Sequence, residues 1–383
     1  MAGNKTLSAA KVNKNDEFYT QRVDIENELK HYRQHFAGKV VYCNCDDPYE
    51  SWFFKYFAMN FNALGLRKLI ATSYDASSVA GTELAFDVSD GGSKAYKIVI
   101  DRPIEDYNGD GAVDDEDIRI FLRDNPPEVL VSDDEYKPGD FRSRQCVELL
   151  KEADIAVTNP PFSLFREYVA QLFEYKKQFL ILGRMSALHY IEVFPRIMEG
   201  TMWCGVGFNL SMVYQTSYEN NLEANKKFVK SKGFDPNKNF IKVPAICWYT
   251  NLDHKKRHEE LVLYKRYNPS DYPKYDNFDA INVDRVTDIP MDYAGSMGVP
   301  DTILGQYNPD QFEILGACIP EYVDKLGIKR IGETWMAKYR ASGGTGHYTA
   351  NMKSLVLYEN NGTPRAIYSR IIIRNKNFQK AVI

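Results

Sequence analysis

An apolar strand that runs directly into two prolines is the feature that most constrains this chain. Residues 154–162 read DIAVTNPPF. Consecutive prolines fix φ and remove two backbone donors, so neither a helix nor a sheet ladder continues through them. We therefore predict a rigid corner at the carboxyl end of a buried strand, which is where open α/β sheets bind their ligands.

The corner brings three chemical groups together. They are the side-chain amide oxygen of Asn159, a backbone carbonyl that no ladder pairs, and the aromatic face of Phe162. This set suits a conjugated amine that must lose its planarity before it acts as a nucleophile. A plain turn after a buried strand is the alternative, but the order strand, Asn, Pro, Pro, aromatic is rarely needed for a turn alone.

Strands and helices alternate through the first half of the chain, which predicts a doubly wound, mostly parallel α/β sheet. The predicted strands cover residues 39–45, 68–75, 154–157 and 178–183, and the predicted helices cover residues 51–61, the stretch after Arg142 through Leu150, and about 163–175. Acids follow the first two strands, and Gly139-Asp140-Phe141 follows what reads as a third.

The pattern weakens further along the chain. Residues 201–243 are polar and predict a long mobile loop, after which residues 243–249 resume as a strand. Beyond His254 helical patterns are scarce, and residues 367–374 alternate as an exposed strand would. We place a domain boundary near residue 255.

Composition describes an ordinary globular protein, with 44% apolar and 26% charged residues. No apolar run approaches the roughly 20 residues that span a bilayer, and residues 1–14 lack the apolar core of a secretory signal. Six cysteines without a Cys-x-x-Cys pair indicate reduced thiols in a cytoplasmic protein. Cys43 and Cys45 read as buried thiols of the first strand.

Charge is divided unevenly along the chain, although the net value is only −4. Residues 220–383 carry 24 Lys and Arg against 18 Asp and Glu, whereas residues 1–219 carry 24 against 34. This asymmetry is compatible with an acidic cofactor half and a basic half that faces phosphates.

The ordered motifs resemble the S-adenosylmethionine-dependent DNA adenine-N6 methyltransferases, and more closely the EcoRI-type modification methylases. The resemblance covers nearly the whole chain apart from residues 76–136 and 205–240. Its main segments are DEFYTQ at 16–21, KVVYCNCDDP at 39–48, GDFRS at 139–143, DIAVTNPPFSLFREY at 154–168, YPKYDNFDAINV at 272–283 and QFEILG at 311–316.

The resemblance implies a Rossmann-like cofactor-binding and catalytic domain over residues 1–255, with an acidic insertion at about 101–135, and a C-terminal target-recognition domain over 256–383. It implies methyl transfer to adenine N6 in double-stranded DNA, with the target base flipped out of the helix. A monomer and a cognate restriction endonuclease that acts on the same site are further expectations.

Catalytic roles follow from the same resemblance. The Asn159 side-chain oxygen and the Pro160 carbonyl would accept the two N6 hydrogens, with Pro161 completing the corner. Phe162 would stack on the adenine, and catalysis would otherwise consist of alignment, without a metal or a general base. Trp248 is a second candidate for supporting the extruded base, with a core tryptophan as the alternative.

Cofactor contacts are likewise implied by position in the motif order. The segment after the first strand would lie against the methionine part, and Phe18 and Thr20 would close that end. Asp75 would accept from the ribose hydroxyls, Asp140 from the cofactor's adenine amino group, and Phe141 would stack. The first segment lacks the glycine-rich turn of the wider methyltransferase pattern. The full set is Phe18, Thr20, Asn44, Asp46, Asp47, Pro48, Asp75, Asp140, Phe141 and Asn159.

An acidic segment at residues 106–117 matches the pattern of a calcium-binding loop. Asp106, Asn108, Asp110 and Asp117 occupy loop positions 1, 3, 5 and 12, with Gly111 at position 6. Residues 118–122 would form the exiting helix. The twelfth position is Asp where Glu is usual, and no second loop follows. An acidic surface loop is the alternative.

Two other functional hypotheses remain open on the sequence. Asn-Pro-Pro-aromatic corners also serve enzymes that methylate RNA or a protein glutamine. A non-catalytic protein that binds DNA or calcium is the third hypothesis. The length of the C-terminal region and the extent of the resemblance favour DNA methylation.

Overall fold

The computed structural model describes residues 19–74, 95–215, 223–238 and 240–378, which form two compact units. The first unit extends to Val193 and resumes over Met202–His254. The second comprises Phe194–Thr201 and the chain from Lys255 onward. The chain passes from the first unit to the second between residues 254 and 255, where we predicted a domain boundary. Residues 194–201, which we predicted to lie in the first domain, group with the second unit. No helix in the described ranges is both long enough and apolar enough to span a membrane.

The first unit is built on one large mixed sheet. In spatial order its strands run β1, β9, β10, β7, β6, β2, β3, β4, β5, and β8 pairs with β10. In chain order they are β1 (Tyr19–Thr20), β2 (Val40–Asn44), β3 (Lys68–Thr72), β4 (Tyr96–Ile100), β5 (Glu128–Val129), β6 (Ile155–Thr158), β7 (Gln178–Arg184), β8 (Trp203–Cys204), β9 (Leu210–Gln215) and β10 (Phe240–Thr250).

Only the middle of this sheet is parallel. β7, β6, β2 and β3 run in the same direction, whereas β10 pairs antiparallel with β7 and β4 pairs antiparallel with β3. β2 and β6 are completely buried, as expected for parallel strands covered on both faces. The prediction of a mostly parallel sheet thus holds for the four middle strands and is wrong for the flanks. On one flank, β4 runs antiparallel beside β3. On the other flank, β10 runs antiparallel beside β7, and β8 and β9 pair with β10.

Helices accompany the strands of both units in the described ranges. They are α1 (Arg22–Leu29), α2 (Trp52–Met59), α3 (Asp115–Asp124), α4 (Arg144–Glu152), α5 (Phe165–Glu174), α6 (Phe194–Met198), α7 (Glu223–Ser231), α8 (Pro320–Val323) and α9 (Glu333–Ala341). Short 3-10 helices span Arg33–His35, Phe162–Leu164, Met185–His189, Lys255–His258, Val286–Asp288 and Asp301–Gly305. α2 lies between β2 and β3, and α5 between β6 and β7, which are the crossovers that parallel strands require.

The prediction of a long loop over residues 201–243 is wrong. The described part of this stretch contains β8, β9, α7 and the start of β10. Its polar composition reflects a position at the side of the sheet, where β9 has only β10 and the two-residue β1 as neighbours. The buried residues of β9, Met212, Val213 and Tyr214, form only a short apolar run between polar residues.

The second unit contains a four-stranded sheet in the order β11, β12, β16, β13 and a separate pair, β14 with β15. These strands are β11 (Ile281–Asn282), β12 (Met297–Val299), β13 (Phe312–Ala317), β14 (Val356–Tyr358), β15 (Pro364–Ala366) and β16 (Ile371–Asn375). The prediction of an exposed final strand is wrong, because β16 lies between β12 and β13 and its three isoleucines are fully buried.

Candidate active site

The carboxyl ends of β2 and β6 form the topological switch point of the sheet. From β2 the chain moves to β3 on one side, while β6 and β7 lie on the other side. Loops that leave two such strands diverge and open a crevice, which is where open α/β sheets bind ligands. Asn44 ends β2 and Thr158 ends β6, so the two segments singled out in the sequence meet at this crevice.

Asp46 joins the elements around the crevice. Its Oδ2 lies 2.6 Å from the Thr158 hydroxyl, and its Oδ1 accepts a hydrogen bond of 2.6 Å from the Ser51 hydroxyl. Its backbone N–H donates to the Thr72 carbonyl at the end of β3. Ser51 in turn caps α2 by accepting from the Phe53 N–H. Asp46 therefore connects β2, β3, β6 and α2, and both of its carboxylate oxygens are engaged within the protein.

Two neighbours of Asp46 present buried polar atoms toward no protein partner. Asp47 is 3% exposed, and its Oδ1 accepts from the Tyr49 N–H whereas its Oδ2 has no hydrogen-bond partner among the described residues. Burial raises the pKa of the Asp47 carboxyl to about 6. Asn44 is 1% exposed; its Oδ1 accepts from the Tyr168 hydroxyl, and its Nδ2 likewise has no partner within the described ranges.

A backbone turn separates these two residues. Cys45 adopts φ +65°, in the left-handed region that residues other than glycine rarely occupy. Pro48 follows in the connection to α2 and is buried. The turn thus replaces the missing glycine-rich segment with a left-handed cysteine and a proline. Cys43 is fully buried, as predicted, whereas Cys45 is only half-buried.

The Asn-Pro-Pro-Phe corner has the predicted shape. It follows β6 directly, and a single 3-10 turn over Phe162–Leu164, closed by the Leu164 N–H donating to the Pro161 carbonyl at 3.0 Å, leads into α5. Pro160 is buried, while Asn159, Pro161 and Phe162 are half-buried. Phe162 packs one side against the main apolar core. The core therefore supports Phe162 from one side, and the side-chain oxygen of Asn159 is buried at the corner.

Helix α5 couples this corner to the segment that contains Asp140. Its Tyr168 is fully buried, donates to Asn44 and meets the ring of Phe141 edge-on at 5.1 Å. Its Gln171 donates to the Phe141 carbonyl at 3.1 Å. The helix that begins at the corner therefore positions residues on both sides of the crevice.

We had expected Asp140 to follow a third strand of the sheet. It lies instead in the loop before α4. The Arg142 guanidinium donates two hydrogen bonds of 3.0 and 2.9 Å to its carboxylate, and the Arg142 backbone N–H donates a third at 2.9 Å. The guanidinium also donates to Glu167 of α5 at 2.7 Å. Gly139 brings this loop onto the end of β3: its φ is +76°, and a Cβ there would overlap the Ser73 carbonyl. A carboxylate has about four acceptor sites, so Asp140 retains acceptor capacity beyond these three hydrogen bonds.

The remaining predicted cofactor residues are placed only in part. Phe18 and Asp75 lie outside the described residues. Thr20 is buried on β1, which pairs with β9 beside the sheet. Tyr74, the residue before Asp75, is half-buried next to the Gly139 loop.

Trp248 is a core residue in this structure. It lies in β10, is 0% exposed and packs edge-on against Phe53 at 5.9 Å. A completely buried indole has no free face on which a base could stack. The core alternative stated for this residue therefore fits the structure, and we do not extend the stacking role to Trp248.

The acidic loop is ordered by its own backbone. Asp117 is fully buried at the third position of α3, where it forms a capping box with Asp114 and accepts from the Tyr107 N–H at 2.7 Å. Asp106 accepts from the N–H groups of Gly109 and Gly111 at 2.7 and 2.8 Å. In the described part of the chain, no three His, Cys, Asp or Glu side chains come together as a metal site.

Comparison with known proteins identifies the family of this chain. Residues 6–376 match the model of the family described as adenine-specific methyltransferase EcoRI. The chain belongs to this family. It is 46% identical to the Type II methyltransferase M.EcoRI of Escherichia coli over 321 residues, which cover 82% of this chain and 89% of that protein. It is 38% identical to the Type II methyltransferase M.MpnI of Mycoplasma pneumoniae over 320 residues, covering 82% and 86%. No solved structure matches significantly.

The hydrogen bonds of the structure reveal supporting residues that the sequence reasoning missed. Ser51, Thr158, Tyr168 and Arg142 all support the crevice, but none was singled out. Ser51 had a signal, since a serine before an apolar helical run is a common N-cap. Thr158 and Tyr168 had none, because each reads locally as an ordinary strand or helix residue.

Proposed function

We propose that this protein is a site-specific DNA methyltransferase that transfers a methyl group from S-adenosylmethionine to N6 of adenine in double-stranded DNA. The observation that carries the proposal is the position of the Asn-Pro-Pro-Phe corner at the switch point, together with the buried Nδ2 of Asn44 and Oδ2 of Asp47, which have no partner among the described residues. Membership of the adenine-specific methyltransferase family supports the same reaction.

The residues at the switch point fit the methionine end of the cofactor. Buried polar atoms without partners are costly, and a ligand that pairs them recovers that cost. The Oδ2 of Asp47 is an acceptor suited to an ammonium group, and the Nδ2 of Asn44 is a donor suited to a carboxylate. S-adenosylmethionine carries both groups, and it supplies the methyl group as a sulfonium electrophile when bound.

Asp46 would act differently from its neighbours. Because Thr158 and Ser51 already engage its carboxylate, we assign it the role of holding the turn that contains Asn44 and Asp47. Pro48 would stiffen the same turn. Asp140 and Phe141 would line the adenine end, with Arg142 fixing the carboxylate and Tyr168 supporting the ring. Thr20, Phe18 and Asp75 remain predictions for the remaining contacts.

Adenine N6 is a poor nucleophile because its lone pair is shared with the ring. The Asn159 side-chain oxygen and the Pro160 carbonyl would accept its two hydrogens, which draws the nitrogen toward tetrahedral geometry and aims its lone pair at the methyl group. Phe162 would hold the base by stacking. Much of the rate would then come from orientation. The proton can leave after transfer, so the corner needs no general base.

A base inside a duplex cannot reach this crevice, so the proposal includes base flipping at a cost of a few kcal/mol. The second unit, over most of residues 256–383, would provide the target-recognition region. Lys and Arg side chains there would contact guanine edges and phosphates. A cytoplasmic, monomeric enzyme with a cognate restriction endonuclease remains the expected setting.

The test is methyl transfer in a host that lacks adenine methylation. Expression of the parent should create N6-methyladenine at one sequence motif across the host genome. Asn159→Ala should keep cofactor and DNA binding and lose turnover, whereas Asn27→Ala, an exposed asparagine on α1, should behave as the parent. Undiminished methylation by Asn159→Ala would refute the role given to that side chain. Labelled methyl transfer to RNA or a glutamine peptide, and not to duplex DNA, would favour the alternative substrates.

Calcium binding by residues 106–117 stays a separate prediction. An ion would have to replace backbone donors that now occupy Asp106 and Asp117. Its effect would be to stiffen the connection before α3, without taking part in the chemistry. Calorimetry with calcium on the parent and on Asp110→Ala decides the matter: heat in the parent alone supports a site, and no heat in either removes it.

A further inference from the structure

We infer that a lysine-rich surface on α7, the connection after it and the first part of β10 contacts the phosphate backbone of duplex DNA. We call this surface, formed by Lys226, Lys227, Lys230, Lys238 and Lys242, the α7–β10 lysine surface. The inference rests on the proposed function for its partner. It concerns the first unit, and not the C-terminal region that the sequence had suggested as the DNA-binding part.

The charge distribution within the basic half points to this surface. Residues 220–254 carry six lysines against three acids, and residues 255–383 carry 18 Lys and Arg against 15 acids. Half of the positive excess therefore lies in a stretch of 35 residues that belongs mainly to the first unit. Only two of the three acids, Glu223 and Asp235, lie on the segment that bears the lysines.

The fold presents these lysines outward. Along α7, Lys226, Lys227 and Lys230 share one side of the helix, while Val229 is buried against the protein. Lys227 and Lys230 are exposed. Lys242 of β10 lies over the ring of Phe228 at 4.6 Å, which joins the strand to the helix. The adjacent Lys232 is also near the carboxylate of Asp24. Burial raises the pKa of Asp24, and the charge of Lys232 lowers it by a smaller amount. We therefore leave Lys232 out of the surface.

The sheet register places this surface beside the reactive edge. β7 ends at Arg184, which pairs with Ile246 of β10. β10 begins at Phe240, so six of its residues continue past the carboxyl end of β7, with a bulge between Val243 and Ile246 where Ala245 adopts φ +59°. β9 pairs with the first residues of this extension, β1 pairs with β9, and α7 packs against the extension. The lysines therefore stand on a projection beyond the same edge that bears the Asn-Pro-Pro-Phe corner.

Phosphate is the group that this surface fits. Lysine is a compact, hydrated point charge that suits non-specific contact to phosphate, whereas bidentate reading of bases favours arginine, and residues 220–254 contain no arginine. The surface would position duplex DNA over the crevice and leave sequence reading to other residues. Loss of these contacts should weaken binding equally on every DNA sequence.

The test compares two double variants with the same change of charge. Lys227→Gln/Lys230→Gln removes two exposed lysines of the surface. Lys151→Gln/Lys176→Gln removes two exposed lysines at the opposite edge of the sheet. These lysines precede the amino ends of β6 and β7. Full-length proteins are titrated with duplexes that contain or lack the methylated motif, over a range of salt concentrations.

Each phosphate contact contributes about 0.9 to the slope of log affinity against log salt. The surface variant should therefore lose about 1.8 from that slope on both duplexes, while the control double variant keeps the parent slope. Equal slopes for the two variants would overturn the inference, as would a loss confined to the duplex with the motif. A parent that binds duplex DNA but methylates none would count against the proposed function, and the slopes would still decide this inference.

Discussion

Replacing Asp47 by asparagine tests the cofactor assignment most directly, because the same atom has opposite effects on folding and binding. The pKa of this carboxyl is raised by burial from an ordinary value of 3.8 to about 6. Ionisation is therefore unfavourable in the folded protein by roughly two pKa units, or about 3 kcal/mol. Asparagine keeps the acceptor for the Tyr49 N–H and removes the buried charge.

The sign of the effect on stability follows from proton binding. Between pH 3.8 and 6 the folded state retains a proton that the unfolded state has lost, so the stability of the parent falls as pH rises through this window. The variant has no such group. Asp47→Asn should exceed the parent in unfolding free energy by less than about 1 kcal/mol at pH 4, and the difference should grow to about 3 kcal/mol at pH 8.

Cofactor binding should change in the opposite direction. If the Oδ2 of Asp47 accepts from the ammonium group of S-adenosylmethionine, the variant loses a charge-assisted hydrogen bond of about 1.5–3 kcal/mol, or about 10- to 150-fold in affinity. The affinity of the parent should itself decline below pH 6, where the carboxyl becomes protonated.

Urea unfolding and calorimetric titration across pH measure both effects. Asp134→Asn, an exposed aspartate of the first unit, provides the control with the same change of charge. A stability difference that does not vary with pH would refute the buried ionisation of Asp47. Unchanged cofactor affinity in the variant would refute its contact with the ammonium group.

Three further predictions concern the supports of the crevice. Thr158→Val should lower the unfolding free energy measured in urea by about 1.5–3 kcal/mol, because the Asp46 carboxylate loses a buried donor. Thr158→Ser keeps the hydroxyl and should retain most of that stability, so an equal loss in both variants would contradict the role of the hydroxyl. Tyr168→Phe should raise the Kd for S-adenosylmethionine about 5- to 20-fold, since the Asn44 amide loses its fixed orientation; an unchanged calorimetric Kd would count against it. Gly139→Ala should destabilise by more than about 2 kcal/mol through overlap with the Ser73 carbonyl, whereas Gly109→Ala, at φ +75° in open space, should show only the backbone strain.

The corner and the alternating strands were predictable because their causes are local. Two prolines after an apolar run end a strand in any context, and buried parallel strands such as β2 and β6 read as continuous apolar segments. The flanking strands were missed for a related reason. β9 is a short strand whose buried residues Met212, Val213 and Tyr214 stand among polar ones, and its only neighbours are β10 and the two-residue β1, so its sequence shows no apolar run of ordinary strand length.

Roles that depend on a partner distant in sequence could not be read from the chain. Asp46 and Thr158 are 112 residues apart, and only the pairing of β2 with β6 makes them hydrogen-bond. Trp248 matches a late aromatic position by order along the chain, yet its place inside β10 buries it completely. The same holds for Tyr168 and Asn44, whose hydrogen bond joins residues 124 apart in the sequence.

By itself, the sequence determined the Asn-Pro-Pro-Phe corner and the family, because short-range backbone constraints and motif order suffice for these, and it proposed the acids after the strands as cofactor contacts. Tertiary structure decided how each described acid is surrounded. Among the described residues, the buried Oδ2 of Asp47 has no partner, whereas both carboxylate oxygens of Asp46 are engaged, although the two residues are adjacent in the chain. The difference arises because the free energy of a buried charge depends on the donors that the fold brings to it.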